Sequence, residues 1–429
     1  VLCGAAAAGA PPGPPAITLD QALARARAAN ARLPVPALEV QIARERIREA
    51  RSERWLQLAV EGDFVYAPEP GYDPILTNLG EERLQAVARQ PLLDGGARRA
   101  AVVAAQAGHA AARARYRMAE LDVDLDVRSR FAEVLAFESE IRARQDGLAR
   151  LRSYRAWLEG RHGSGQAVAA DLLKTRVREA AEEADLIDAE RRAEEARLAL
   201  NDLMGQDPAQ PLTLAQEGPP EPPAAEPGDP WTSAPEILEA QARALALQAN
   251  VTIARSGKRP HLFAEADVGL WGSDTTQVIP PDLRASHPGA TLGDRFARDA
   301  GYSVSLNLSW PVWGSGALRA RIAESEFALG QARKEVTARR RQARLDWEQA
   351  RDAREKAYRR TQILSAAVPV ARDSYLEAES RYRGGAGTAL EVLDAFASSV
   401  DTQVRLAQAT MQCRIARALA IRWEGDATP

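Results

Sequence analysis

Apolar and polar residues alternate with a period of two in short segments spread along the chain. The clearest spans 301–312, where Tyr302, Val304, Leu306, Leu308, Trp310 and Val312 fall on one side and Ser303, Ser305, Asn307 and Ser309 on the other. In 261–271, Leu262, Ala264, Ala266, Val268 and Leu270 alternate with Phe263, Glu265, Asp267, Gly269 and Trp271. In 56–66, Leu56, Leu58, Val60, Phe64 and Tyr66 alternate with Gln57, Glu61 and Asp63. Such alternation predicts strands with one apolar face. A fourth strand, 83–92, is weak alone and rests on the alignment of 84–90 with 304–310.

After each second strand comes a glycine-containing turn and then a long helical pattern. No proline interrupts 97–161, which predicts a helix on the order of 95 Å long at about 1.5 Å per residue. A return helix is expected over 168–203, where Leu173, Val177, Ala180, Ala184 and Ile187 recur at spacings of four and three. Long helices over 317–383 and 388–424 repeat the arrangement with Leu390, Leu393, Ala397, Val400, Val404, Ala407 and Met411. Both stripes read as coiled-coil seams, with small residues that let helices approach closely. Pro369 lies inside the third long helix and predicts a kink there.

The resemblance between the two halves is a repeat in register. Pro91-Leu92-Leu93-Asp94-Gly95-Gly96-Ala97 and Pro311-Val312-Trp313-Gly314-Ser315-Gly316-Ala317 are offset by 220 residues. The same offset relates Gly165 to Gly385, Asp171 to Glu391 and Gly205 to Gly425. Upstream, Ala50-Arg51-Ser52 aligns with Ala254-Arg255-Ser256 at an offset of 204, so the second copy carries 16 extra residues. Their expected place is a surface loop within 272–300, rich in Gly, Pro, Ser and Asp. The organisation is therefore a residual signal or N-terminal segment (1–16), a first repeat (17–204), a proline-rich linker (205–235) and a second repeat (236–425).

Composition narrows the function. A net charge of −3 argues against nucleic-acid binding, which calls for a basic face. No run of about 18 apolar residues exists, which excludes a spanning helix but not a barrel. The four histidines (His109, His162, His261 and His287) are scattered, and no nucleophile or phosphate-loop motif occurs. No catalytic, cofactor or metal site is expected. Cys3 stands in a segment that reads as the end of an export signal. It is either an acylated lipoprotein cysteine, although Leu2 fits a lipobox poorly, or is lost with a cut near Ala8 or Ala10.

Four short strands with an apolar Trp- and Tyr-bearing face suit a barrel in lipid, yet about eight is the smallest number that closes. An oligomer is implied, and three copies would supply twelve strands. The competing reading, a soluble coiled-coil scaffold, explains the helical seams but not amphipathic strands at matching places in both copies.

Gln90-Pro91-Leu92-Leu93-Asp94-Gly95-Gly96 with Trp310-Pro311-Val312-Trp313-Gly314-Ser315-Gly316, the stretch from Tyr382-Arg383-Gly384-Gly385-Ala386-Gly387-Thr388 to Ala395, and Ile17-Thr18-Leu19-Asp20-Gln21-Ala22-Leu23 together resemble the TolC-like outer-membrane efflux family. The resemblance covers nearly the whole chain. It implies a mainly α protein with membrane β: a homotrimer forming a 12-stranded β-barrel on a 12-helix α-barrel in the outer membrane of a Gram-negative bacterium. It further implies docking to a periplasmic adaptor (membrane fusion) protein that bridges to an inner-membrane pump, with no chemistry in the channel. Pro91, Gly95, Gly96, Pro311, Gly314 and Gly316 correspond to strand-to-helix junctions. Gly163, Gly165, Gly384, Gly385, Gly387 and Thr388 correspond to adaptor-contacting tips. Glu391 and Asp394 match acidic entrance positions, while Asp171 and Tyr382 match a pair that links neighbouring helices to hold the entrance shut. Gly387 stands where some members carry a basic partner of that link.

Overall fold

The computed structural model describes residues 16–67, 79–163, 168–223, 228–313 and 316–424. Its elements run α1 (Leu19–Ala29), α2 (Pro34–Ser52), β1 (Gln57–Tyr66), β2 (Gly80–Leu93), α3 (Ala97–Gly163) and α4 (Ala169–Leu203) in the first half. The second half contains α5 (Pro235–Ser256), β3 (His261–Ser273), α6 (Pro281–Ser286), α7 (Leu292–Asp299), β4 (Ala300–Ser309), α8 (Ala317–Arg383) and α9 (Ala389–Glu424). The chain divides into two compact units, and each draws on both halves of the sequence.

One unit gathers Glu39–Arg113 and Glu239–Thr337. Its centre is an antiparallel sheet of order β1-β2-β3-β4, so the strand pairs of the two repeats meet at β2 and β3. The register sorts the side chains by polarity. Leu58, Ala88, Ala266 and Val304 lie abreast, as do Val60, Ala86, Val268 and Tyr302. Directly opposed residues share a face, so one face is an apolar band four strands wide. On the other face Arg89 pairs with Glu265 at 2.6 Å, Ser303 donates to Asp267 at 2.9 Å, and the Trp271 indole donates to Gln85 at 3.1 Å. The apolar face is open: Val60 is 76% and Tyr302 82% exposed.

Two expectations change here. β4 stops at Ser309 rather than 312, because Pro311 has no N–H for the ladder and the Trp310 indole turns to the Lys258 carbonyl at 3.3 Å. The second copy's extra residues are not an irregular loop: α6 and α7 occupy much of 272–300. A reciprocal Thr291–Asp294 capping box starts α7, and buried Arg295 ties it down through Glu82 at 2.8 Å and the Gln277 carbonyl at 2.6 Å.

The other unit takes residues up to Leu38, Ala114–Leu238 and residues from Ala338 onward. α1 opens with the expected Thr18–Gln21 capping box and lays Ala22, Leu23 and Ala26 against Val123, Val127 and Phe131 of α3 and Leu200 of α4. Gly205 at φ 67° ends α4 by returning its N–H to Asp202 and that of Gln206 to Asn201, a Schellman arrangement. The linker then runs beside Ile17, which donates to the Thr213 carbonyl at 2.9 Å.

The hairpin of α3 and α4 is joined through charges. Glu140, 2% exposed, is held by Arg144 at 3.1 Å and Arg192 at 3.0 Å. Arg144 also reaches Glu182 at 3.3 Å, and Glu179 is held by Arg152 and Arg155 at 3.2 and 3.0 Å. The stripe read as this hairpin's seam turns the other way: Leu173, Val177 and Ile187 are 60%, 71% and 65% exposed. Periodicity identifies an apolar face but not its partner, and here the buried carboxylates with arginines across the hairpin take the inner side. In the second copy Leu393, Val400 and Val404 are buried, together with Leu151, Tyr154 and Leu158 of α3. Gly147 permits that approach, since a Cβ there would lie 2.8 Å from Val400 Cγ2. α8 continues as one helix through Pro369. Pro369 is exposed, and so is Ser365, whose carbonyl loses its helical donor there.

Candidate functional site at the helical tips

α8 ends because Gly385, at φ 81°, lets its own N–H return to Tyr382 and that of Ala386 to Arg381, at 3.0 and 2.9 Å. This Schellman closure keeps Tyr382 in the last turn. Thr388 then starts α9 by accepting from the Glu391 N–H at 3.3 Å. Gly387 sits in a tight corner, with Glu391 Oε2 3.3 Å from where a Cβ would stand. On the other hairpin Val168 precedes α4, placing Asp171 in its first turn. Gly163 is the last residue of α3, and Gly165 lies outside the described residues.

These turns bring Tyr382 and Asp171 together: the phenol donates to Asp171 Oδ2 at 2.8 Å. Around the phenol, Tyr154 and Trp157 make edge-on ring contacts at 6.0 and 5.9 Å, and the Tyr154 and Trp157 rings stack at 6.1 Å. Arg161 and Arg383 each place a guanidinium over the Trp157 ring, at 5.4 and 5.2 Å. Burial, followed by the bond to Asp171, pushes the Tyr382 phenol up to about 12. Burial likewise raises Tyr154. Glu391 and Asp394 are not part of this cluster; both are exposed on the first turns of α9.

Sequence reasoning missed Tyr154, Trp157, Arg161 and Arg383. In a chain with 5% aromatic residues, the spacing of Tyr154 and Trp157 on one helix, three apart, was the available signal. Arg161 and Arg383 put positive charge over the Trp157 ring that packs against the phenol.

In the sheet unit, the strand-to-helix junction is equally specific. Pro91 sits at a register shift between Pro91 and Leu93, a bulge that carries the ladder past a residue without an N–H. Gly95 and Gly96 follow at φ 63° and 90°. Asp94 accepts from the Gly96 and Arg98 N–H groups at 2.8 and 2.9 Å, and the Gly95 carbonyl accepts from Arg259 at 2.9 Å. In the second copy Pro311 follows β4, Gly316 is at φ 89° before α8, and Gly314 lies outside the described residues. Among the described residues no helix is long and apolar enough to cross a membrane, and no cluster of three or more His, Cys, Asp or Glu could hold a metal.

The sequence profile of the family described as outer membrane efflux protein matches residues 20–206 and 232–419, most of the chain and both repeats. The chain belongs to the outer membrane efflux protein family. Membership places it in the outer membrane of a Gram-negative bacterium. Among relatives in this family, the pyoverdine export outer membrane protein OpmQ of Pseudomonas putida is 28% identical over 309 residues, 69% of this chain and 61% of the relative. OpmQ of Pseudomonas aeruginosa is 26% identical over 322 residues, 72% of this chain and 63% of the relative. The matched part thus spans less than two thirds of either relative's length. The fold is that of VceC from Vibrio cholerae (TM-score 0.79, 19% identity, 95% of this chain and 96% of that one).

Proposed function

We propose that the protein is one protomer of a homotrimeric outer-membrane channel, a passive exit duct for efflux or secretion that performs no catalysis. The sheet carries this reading. One face is apolar across all four strands, the other is polar, and among the described residues β1 and β4 each have a free edge. Lipid tolerates no unpaired strand edge, so the edges must be taken by further copies. Three copies joined β4 to β1 make twelve strands from the four of each protomer. The exposed Leu173, Val177 and Ile187 on α4 support lateral packing of copies through their helices.

In that assembly the tips formed by Gly163, Gly165, Gly384, Gly385, Gly387 and Thr388 contact a periplasmic adaptor, which bridges to an inner-membrane pump. Glu391 and Asp394, exposed near the start of α9, form rings of carboxylates that favour cations, and the Asp171–Tyr382 bond holds the entrance narrow. The strand-to-helix junctions hand the barrel over to the helical wall. The OpmQ relatives are named for pyoverdine export, which supports a secreted small molecule as cargo. The test is extraction: the protein should partition with outer membranes, require detergent, and run as a three-chain oligomer by light scattering. A water-soluble monomer after detergent-free lysis would overturn the proposal in favour of a coiled-coil scaffold.

A further inference from the structure

Away from the tips, the unit containing α1 has a half-open cavity of about 410 Å³ lined by the start of α1, the middle of α3, the linker at Ala215–Glu217 and the last turns of α9. Asp20, Arg128, Glu217, Arg414 and Arg417 face it, three cations against two carboxylates. The pairing of these groups leaves Arg128 and Asp20 over, facing each other without an ion pair. Arg414 is committed to Glu217, whose carboxylate it meets at 2.9 Å, and to the Glu217 and Gly218 carbonyls, both at 3.2 Å. Arg417 is taken by Glu221 at 3.0 Å. Asp124, the acid on the turn of α3 preceding Arg128, is bound by Arg27 at 2.5 Å. Arg128 has no ion pair among the described residues, and its buried Nε has no hydrogen-bond partner there. Asp20 faces Arg128 without closing a pair with it.

A half-buried guanidinium whose Nε donor is unmet is costly. Burial pulls the Arg128 guanidinium below its ordinary value; Asp124 and Asp20 oppose that, while Arg27 and Arg417 add to it. The group remains charged, because guanidinium does not lose its proton in proteins. A core ion pair would have removed the cost, yet Asp20 does not close one and Asp124, Glu217 and Glu221 are bound by other arginines. What fits is an acceptor-only group from outside the chain, with oxygens that a planar fork can bind two at a time. We infer that this cavity is a binding site for a small oxyanion, a carboxylate or phosphate, held by Arg128 with Arg414 and Arg417 around it. Bound there, the anion would tie α1 and the linker to α3 and α9. This site is independent of the channel reading, because it needs neither the barrel nor the entrance.

The experiment is calorimetric titration of the detergent-purified full chain at constant ionic strength, with inorganic phosphate, with citrate, and with phosphatidylglycerol in mixed micelles. Saturable binding of phosphate or citrate supports the site with a free anion as its ligand. Saturation by phosphatidylglycerol alone supports it with a lipid headgroup as the source. Arg128→Gln should weaken whichever ligand binds by about tenfold or more, the loss of one charge-assisted hydrogen-bonding partner. Asp20→Asn removes the opposing carboxylate and should tighten binding, a change in the reverse direction that a damaged fold would not produce. No saturable binding of any of the three, or binding that Arg128→Gln leaves unchanged, overturns the assignment.

Discussion

Tyr382, in the last turn of α8, donates its hydroxyl hydrogen to Asp171 in the first turn of α4 across 2.8 Å, although 211 positions separate them in sequence. The bond joins one helical hairpin to the other at their tips. A hydrogen bond to a charged group contributes about 1.5–3 kcal/mol. If it holds the entrance narrow, Asp171→Ala should raise the open population by about tenfold or more. Tyr382→Phe should act in the same direction. Conductance recorded in a planar bilayer checks both, and conductance equal to wild type would contradict the latch.

The same phenol predicts a pH dependence. A free tyrosine ionises near pH 10, whereas Tyr382 is held up to about 12, by burial first and then by Asp171. Its contribution to stability is complete below the free value. It is lost as pH rises toward the folded value, because the unfolded chain then releases a proton that the folded chain keeps. The phenolate absorbance that disappears in Tyr382→Phe should therefore develop near pH 12 rather than near 10.

The outward stripe on α4 predicts a separation between folding and assembly. Val177 is 71% exposed in the protomer, so Val177→Asp should leave helical content unchanged. In a trimer the same side chain would be covered, and removing its burial would cost about 1.5–3 kcal/mol per copy, besides placing a charge there. Loss of the three-chain oligomer by light scattering, with an unaltered circular dichroism spectrum, is the expected outcome. Intact oligomer at wild-type levels would show that this face is not the contact between copies.

Much of the architecture was legible because it rests on periods. Alternation in 261–271 and 301–312 located β3 and β4, and the repeat offset located β2, whose own pattern was weak. Capping residues and glycines marked α1 and the junctions. What periodicity could not supply was partnership. Leu173, Val177 and Ile187 form a regular seam in sequence, yet the inner side of that hairpin is Glu140, Glu179 and Glu182 with their arginines, and only the fold pairs residues so far apart. For the same reason Tyr382 and Asp171 came from a resemblance rather than from spacing, and Trp157 with Arg161 and Arg383 escaped notice.

Close packing of α3 on α9 gives a stability test. A methyl group at position 147 would meet Val400 at 2.8 Å, well inside ordinary contact. Gly147→Ala should therefore destabilise the protein despite the higher helix propensity of alanine, by about 1–3 kcal/mol for overpacking. The readout is the dissociation temperature of the oligomer on heating, which should fall. A rise would mean that the helices part there at no cost.

Single-channel recording of the detergent-purified oligomer in a planar bilayer tests the central claim most directly. A closed barrel with acidic rings at its entrance predicts discrete conductance steps that prefer cations, with the preference reduced in Glu391→Gln combined with Asp394→Asn. An oligomer that inserts no conducting unit under these conditions would contradict the channel.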